Sequence, residues 1–327
     1  MNWGIIGMGR IARKFADDLK LIPGARLHAV ASTSADRAGA FAREYGAQHA
    51  YGRYEDLLSC EGLDAVYVAT PHVYHCENAL MCLENGLPVL CEKPFSMNTQ
   101  ETRRMIEAAR RNRVFLMEAL WSFFIPGVQK AFDLLEQGVI GELHTIRADL
   151  GFHMPPEDLN NRVYNKALGA GSLLDLGVYP AMLSLALLGR PERSDIMAMG
   201  TFTGTDVDES CSFMFRYPGN KLMIGYSSIA ANTSLTAGLY GSKGHILLHP
   251  RWHHPVRLTV SHYDGRQEQL EDIETPYTGH GYHYEAAHVM DCLSKGLTES
   301  PVVPLGLTLG LTETLDAIRE EIGLEYC

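Results

Sequence analysis

An apolar run, Trp3–Ile6, passes into an amphipathic one, Ile11–Leu21, through Gly7-Met8-Gly9-Arg10-Ile11-Ala12. Glycines spaced in this way suit a tight strand-to-helix turn, where a backbone without Cβ atoms can bend sharply and lie close to another group. The helix that begins at such a turn directs unpaired N–H groups and its positive dipole end outward, so the turn favours an anion such as a pyrophosphate. An ordinary tight turn with incidental glycines is the competing reading. A further strand within about 30 residues of the turn, Leu27–Ser32, supplies the context that the phosphate reading requires.

The same alternation continues through the first third of the chain. Further strands are predicted at Ala65–Thr70, Val89–Cys91 and Val114–Met117, with helical patterns at Asn78–Glu84 and at Thr99–Arg111, where Thr99 is the expected N-cap. Strands alternating with helices predict a doubly wound parallel sheet of Rossmann type. After Trp121 the style changes. A helix (Val128–Gln137), a strand (Leu143–Leu150), an irregular Pro155-Pro156 segment and an apolar helix (Ser172–Leu188) come first. Alternating strands then run from Arg193 to about Leu270, broken at Pro218-Gly219-Asn220, at Gly241–Gly244 and at Asp264-Gly265, before two closing helices, Tyr282–Leu293 and Leu305–Glu321. The expected architecture is α/β throughout: a dinucleotide-binding domain over 1–121, then a substrate-binding and dimerisation domain over 122–327 with a large, mostly antiparallel open sheet.

The formal charge of −11, from 28 Lys and Arg against 39 Asp and Glu, argues against nucleic acid as a partner. Seven cysteines, an odd number with no C-x-x-C pair, point to a reducing compartment. The opening apolar run is too short for a signal-peptide core, and no uninterrupted run reaches the ~18 apolar residues of a membrane helix. A cytoplasmic protein without a membrane partner is expected.

At the end of the second strand an Asp or Glu would bind a ribose diol, but Ser32-Thr33-Ser34 stands there, followed by Arg37. Hydroxyls and a guanidinium suit a 2′-phosphate, which favours NADP and leaves NAD as the alternative. Ser34 as a helix cap beside a solvated Arg37 is the plainer reading. The strand Val89–Cys91 runs into Glu92-Lys93-Pro94, which sets Lys93 at the carboxyl end of the sheet, where ligands of such folds bind. An ammonium close to a tyrosine favours the phenolate and makes it a usable proton acceptor. Asp175 and Tyr179 are four apart in an apolar helical run and so share a face. A carboxylate within Leu173-Leu174-Asp175-Leu176 is costly without a partner, which marks it out. Local capping by Asp175 and a core role for Tyr179 compete with that reading.

Together these motifs resemble the glucose–fructose oxidoreductase / inositol dehydrogenase / rhizopine-catabolism (Gfo/Idh/MocA) family, and within it the dimeric dihydrodiol dehydrogenase branch. The resemblance runs through Gly7–Ala12, Ala69-Thr70-Pro71-His72-Val73-Tyr74-His75, Glu92-Lys93-Pro94, Met117–Trp121, Asp175-Leu176-Gly177-Val178-Tyr179, Gly241–Gly244 and Ser300–Pro304. It implies a catalytic pair, Lys93 and Tyr179, with Asp175 beside them. Tyr179 would exchange a hydroxyl proton while hydride passes between nicotinamide and a CH–OH or C=O carbon of a sugar, polyol or trans-dihydrodiol. Cofactor contacts fall to Gly7, Gly9, Arg10, Ile11, Ala12, Ser32, Thr33, Arg37, Thr70, Pro71, His72, His75, Glu92, Lys93 and Trp121. Trp121, Phe124, Arg162, Tyr164 and Asn165 would line the substrate pocket. The resemblance also implies a homodimer through the C-terminal sheet.

Three positions depart from the family pattern. His72 replaces a common Asn, Tyr179 stands where many relatives have His, and Thr33 replaces an arginine of the dihydrodiol branch. A non-catalytic NAD(P)-sensing regulator of the same fold is the alternative, against which Lys93 and Tyr179 speak. Metal binding at His253-His254 or His280-x-x-His283 with His288 is not expected, because adjacent strand residues face opposite ways and no carboxylate or cysteine completes a set.

Overall fold

The computed structural model of the chain describes residues 1–155, 162–264 and 267–326. Pro156 of the expected irregular segment, Gly265 of the expected turn and Cys327 lie outside them. The described chain forms two compact units, Met1–Trp121 with Thr278–Thr312, and Ser122–Tyr277 with Glu313–Cys327. Two consecutive segments, 1–121 and 122–327, therefore do not describe the division, since 278–312 returns to the first unit.

That first unit carries β1 (Asn2–Ile6), α1 (Arg10–Leu19), β2 (Arg26–Ala31), α2 (Ala35–Tyr45), β3 (His49–Tyr51), β4 (Ala65–Val68), α3 (His75–Glu84), β5 (Val89–Glu92), α4 (Thr99–Asn112) and β6 (Leu116–Ala119). Its six strands lie in the order β3-β2-β1-β4-β5-β6, and every pair is parallel. The order reverses between β1 and β4, which opens a crevice at the carboxyl ends of those strands. Such a sheet must be covered on both faces, and β1, β4, β5 and β6 are buried almost throughout. Phe15 of α1 stacks on Tyr67, with ring centroids 3.9 Å apart, and meets Trp3 edge-on. Strand β3 is a short, exposed edge piece that apolar patterning does not reveal. The cap of α4 is Asn98 rather than Thr99. The Asn98 side chain accepts from the Glu101 N–H at 2.9 Å, and Glu101 accepts in turn from the Met97 N–H at 3.0 Å.

The second unit holds α5 (Pro126–Glu136), β7 (Leu143–Gly151), α6 (Val178–Leu188), β8 (Ile196–Phe202), β9 (Asp208–Tyr217), β10 (Lys221–Ser228), β11 (Ala237–Gly241), β12 (Gly244–Leu248), β13 (Arg257–Asp264) and β14 (Gln267–Glu274). Its eight-stranded sheet has the order β14-β13-β12-β11-β7-β10-β9-β8. All pairs are antiparallel except β7 with β10. Helix α7 (Tyr282–Ser294) belongs to the first unit, and the division passes through α8 (Leu305–Ile322).

The apolar segment expected as one helix, Ser172–Leu188, is instead a π-helical turn, Leu173–Gly177, leading into α6. The longer stretch Lys166–Leu188 is apolar enough to cross a membrane by length and composition, yet 83% of its most apolar window is buried within the fold. Its apolar character is accounted for by the core of the second unit.

Candidate active site

In the first unit, Gly7 has φ +94°, and a Cβ there would lie 2.6 Å from the Ala69 carbonyl oxygen, so only glycine fits between β1 and the end of β4. Gly9 is extended, caps α1 without a side-chain bond, and has open space where a Cβ would stand. The free N-terminus of α1 and the open space at Gly9 fit a pyrophosphate. Ala12 packs fully buried behind the turn, while Arg10 is exposed and Ile11 half-buried.

At the end of β2, Ser32 is buried and its N–H donates to Tyr51 at 3.1 Å. Thr33 and Arg37 meet, the guanidinium donating to the Thr33 hydroxyl at 2.6 Å, and both are exposed. Ser34 caps α2 by accepting from the Arg37 N–H at 3.4 Å. The capping and the clustering of Thr33 with Arg37 therefore coexist.

Lys93 is half-buried in a loop whose Lys93-Pro94 peptide is cis. Glu92 beside it is buried and accepts from the Tyr67 hydroxyl and, at 3.1 Å, from the Lys93 N–H. The His75 ring spans two carbonyls, with Nδ1 2.8 Å from that of Pro94 and Nε2 2.8 Å from that of Thr70. A carbonyl can only accept and a neutral imidazole carries one N–H, so His75 donates to one of these loops while its other nitrogen lies against the second. Asn78 donates to the Thr70 hydroxyl at 3.2 Å, Pro71 precedes a short 3-10 turn, and the buried His72 ring lies 5.7 Å from that of His75. Trp121 is buried and stacks on Tyr282 of α7 at 4.8 Å. Two buried acids here are invisible to spacing arguments. Burial raises the Glu118 carboxyl to about 8, and Glu118 accepts from the Phe95 N–H at 3.1 Å. Burial also raises Glu285 of α7 well above the carboxylate range, with nearby Glu92 and Asp18 adding to it.

In the second unit, Asp175 lies in the π-helical turn, buried, and pairs with the Arg162 guanidinium at 2.5 Å. Arg162 thus supplies the partner that a carboxylate in so apolar a run requires. Tyr179 is buried on the first turn of α6 with its ring centroid 5.0 Å from that of His253. The Tyr164 hydroxyl donates to the Met154 carbonyl at 2.6 Å, and the Asn165 side chain accepts from the Ala167 N–H at 3.1 Å to start a 3-10 turn. These two bonds are local ties. Phe124 is half-buried.

Asp208, at the start of β9, is a residue that sequence reasoning missed. Its carboxyl accepts from the Ser172 hydroxyl at 2.8 Å and the Leu173 N–H at 2.6 Å, which fixes the start of the turn carrying Asp175. Burial raises it to about 7. Gly171, φ +123°, leaves room for it, since any Cβ there would meet the carboxylate oxygen. No spacing rule links position 208 to position 172, so only the folded chain reveals the pair. Of the histidines weighed for a metal, His254 lies 2.8 Å from the Tyr277 hydroxyl, His283 3.3 Å from the Asp18 carboxylate and His288 2.7 Å from the Ser300 hydroxyl.

A doubly wound parallel sheet with a glycine turn of this form defines a dinucleotide-binding protein. Comparison with known proteins specifies which. Residues 1–120 match the family model described as an oxidoreductase family with an NAD-binding Rossmann fold, and residues 128–247 match the GFO/IDH/MocA C-terminal domain. The chain belongs to the GFO/IDH/MocA oxidoreductase family. It is 36% identical over 339 residues to trans-1,2-dihydrobenzene-1,2-diol dehydrogenase of Mus musculus, covering 100% of this chain and 98% of that one. The Homo sapiens enzyme of the same name is 34% identical over 337 residues, with the same coverage. Among solved structures, a 3-ketoreductase from Actinomadura kijaniata in complex with NADP superimposes with a TM-score of 0.86 at 24% identity, over 98% of each chain. That likeness bears on the fold alone.

Proposed function

We propose that the protein is an NADP(H)-dependent dehydrogenase or reductase acting on a CH–OH or C=O carbon of a sugar, polyol or trans-dihydrodiol, with NAD as a weaker cofactor. The observation that carries the proposal is the Gly7–Gly9 turn, whose open cradle suits a pyrophosphate, in the same sheet as the Glu92-Lys93-Pro94 loop. Bound nicotinamide would supply or accept the hydride. In this reading Tyr179 exchanges the hydroxyl proton and Lys93 binds the substrate oxygen. Glu92, held by Tyr67, orients the backbone that carries Lys93. The Arg162–Asp175 pair holds the turn before Tyr179 and presents polar groups to a hydroxylated substrate. The dihydrodiol dehydrogenase names of the relatives support the diol class. Thr33 and Arg37 support NADP, because their hydroxyl and guanidinium are already joined at the end of β2.

The protein is further proposed to work as a homodimer. Met197, Met214 and Ile224 lie in register across β8, β9 and β10, all exposed, with Met199 80% exposed beside them. An apolar band of this kind on an open sheet face suits a second copy. A cytoplasmic location is supported by the six described cysteines, all buried and free.

Initial rates with NADPH, NADH and their oxidised forms across sugars, 1,5-anhydroketoses and trans-dihydrodiols test the assignment. Turnover linked to NADP with one of these classes is expected. Absence of any cofactor-linked turnover would favour a nucleotide-sensing regulator, which needs neither Lys93 nor Tyr179.

A further inference from the structure

The edge of the first unit's sheet carries a side-chain cluster that the proposed reaction does not use. His28 on β2, His49 on β3 and Cys60, just after the 3-10 turn Glu55–Ser59, each bring one potential ligand atom within 4.8 Å of the others. His28 and Cys60 are buried and His49 is exposed. We propose that His28, His49 and Cys60 bind one divalent transition-metal ion of the zinc class, which joins β2, β3 and the segment after the 3-10 turn.

The state of His28 carries the argument. Its Nε2 lies 3.1 Å from the Glu61 carbonyl oxygen, and since a carbonyl only accepts, Nε2 holds the proton. In the neutral ring Nδ1 then bears the lone pair. That Nδ1 is buried without a hydrogen-bond partner, in a side chain only 7% exposed, an unfavourable condition that a metal ion would relieve. A ring with one nitrogen donating to a backbone carbonyl and the other bearing an unpartnered lone pair is the state in which histidine binds a metal, because the outer bond fixes the tautomer and the ring plane. His49 meets the His28 ring edge-on at 4.9 Å between centroids.

The donor set selects the ion. Two imidazoles and a thiolate suit zinc and disfavour magnesium or calcium, which take oxygen ligands. Zinc bonds of about 2.0–2.3 Å in a tetrahedron place ligand atoms roughly 3.3–3.8 Å apart. The contraction from the present spacing falls mainly to His49, the exposed member, which leaves a fourth position for water and a route from solvent.

The test uses the whole chain freed of metal with a chelator, then titrated with Co²⁺ by absorbance and with Zn²⁺ by calorimetry. One ion per chain is expected, with a thiolate-to-cobalt charge-transfer band and a rise in melting temperature on Zn²⁺ binding. His49→Ala removes an exposed ligand without touching the core and should weaken binding by at least about tenfold. Cys60→Ala should abolish the charge-transfer band. Co²⁺ binding without that band, or Zn²⁺ affinity unchanged in His49→Ala, would show attachment at scattered surface histidines only and would overturn the proposal.

Discussion

Replacing Asp208 tests how the π-helical turn that carries Asp175 is held. The Asp208 carboxyl is the described acceptor for the Leu173 N–H at 2.6 Å, whereas Ser172 also has the Ser227 hydroxyl at 3.1 Å. Asp208→Ala therefore leaves a buried N–H without that acceptor, at about 1–3 kcal/mol, and opens a small void worth about 1 kcal/mol. The sum is about 2–4 kcal/mol at pH 5, where the native carboxyl is neutral. Asp208→Asn keeps an acceptor oxygen and should cost less. The two variants also separate by pH. Burial raises the folded carboxyl from 3.8 to about 7, so between these values the folded chain binds a proton that the unfolded chain has released. This contribution to stability is complete below the lower value, falls by about 1.4 kcal/mol per pH unit through the window, and is gone above about pH 7. Asp208→Asn removes that dependence. Urea unfolding followed by tryptophan fluorescence from pH 5 to 8 measures both quantities, and turnover at each pH reports on the turn. An Asp208→Ala variant as stable as the native chain at pH 5 would show that Asp208 does not hold the turn, and an unchanged pH slope in Asp208→Asn would show that its carboxyl does not titrate in this window.

Three further outcomes are expected. Gly9→Ala should leave stability within about 0.5 kcal/mol, since its Cβ meets nothing, but should lower NADPH affinity at least about tenfold by occupying the cradle; fluorescence titration beside a melting curve shows both. Arg37→Ala should weaken NADPH binding by roughly 1.5–3 kcal/mol, the worth of a hydrogen bond to a charged group, and leave NADH binding nearly unchanged, as paired titrations would reveal. Met199→Glu combined with Met214→Glu places charges on the exposed sheet face and should yield monomers in sedimentation experiments with the melting temperature retained.

The first strand and helix are legible because Gly7 and Gly9 mark their junction by chemistry as well as by pattern. Strands β4 and β5 are equally visible, since a sheet covered on both faces requires continuous apolar runs. Strand β3 is not, being three residues long and largely exposed. The return of 278–312 to the first unit is hidden for another reason. Tyr282 and Asp18 meet only in three dimensions, where Asp18 accepts from the Tyr282 N–H at 2.7 Å. The parallel pairing of β7 with β10 likewise joins residues 77 positions apart, as in Thr145 with Leu222 and Asp149 with Tyr226, and is not set by any local turn. In the candidate site, Lys93, Asp175 and Tyr179 stand out by residue type and surroundings. Asp208, Glu118 and Glu285 do not, because an isolated acid in a strand or helix reads as a solvated surface charge until its burial is known.

We propose that Tyr179 exchanges the substrate proton in a dinucleotide-linked reaction. The most direct measurement pairs NADPH titration with turnover for Tyr179→Phe. Native cofactor affinity with a rate reduced by at least about a hundredfold is the predicted result. Native turnover in Tyr179→Phe would contradict it.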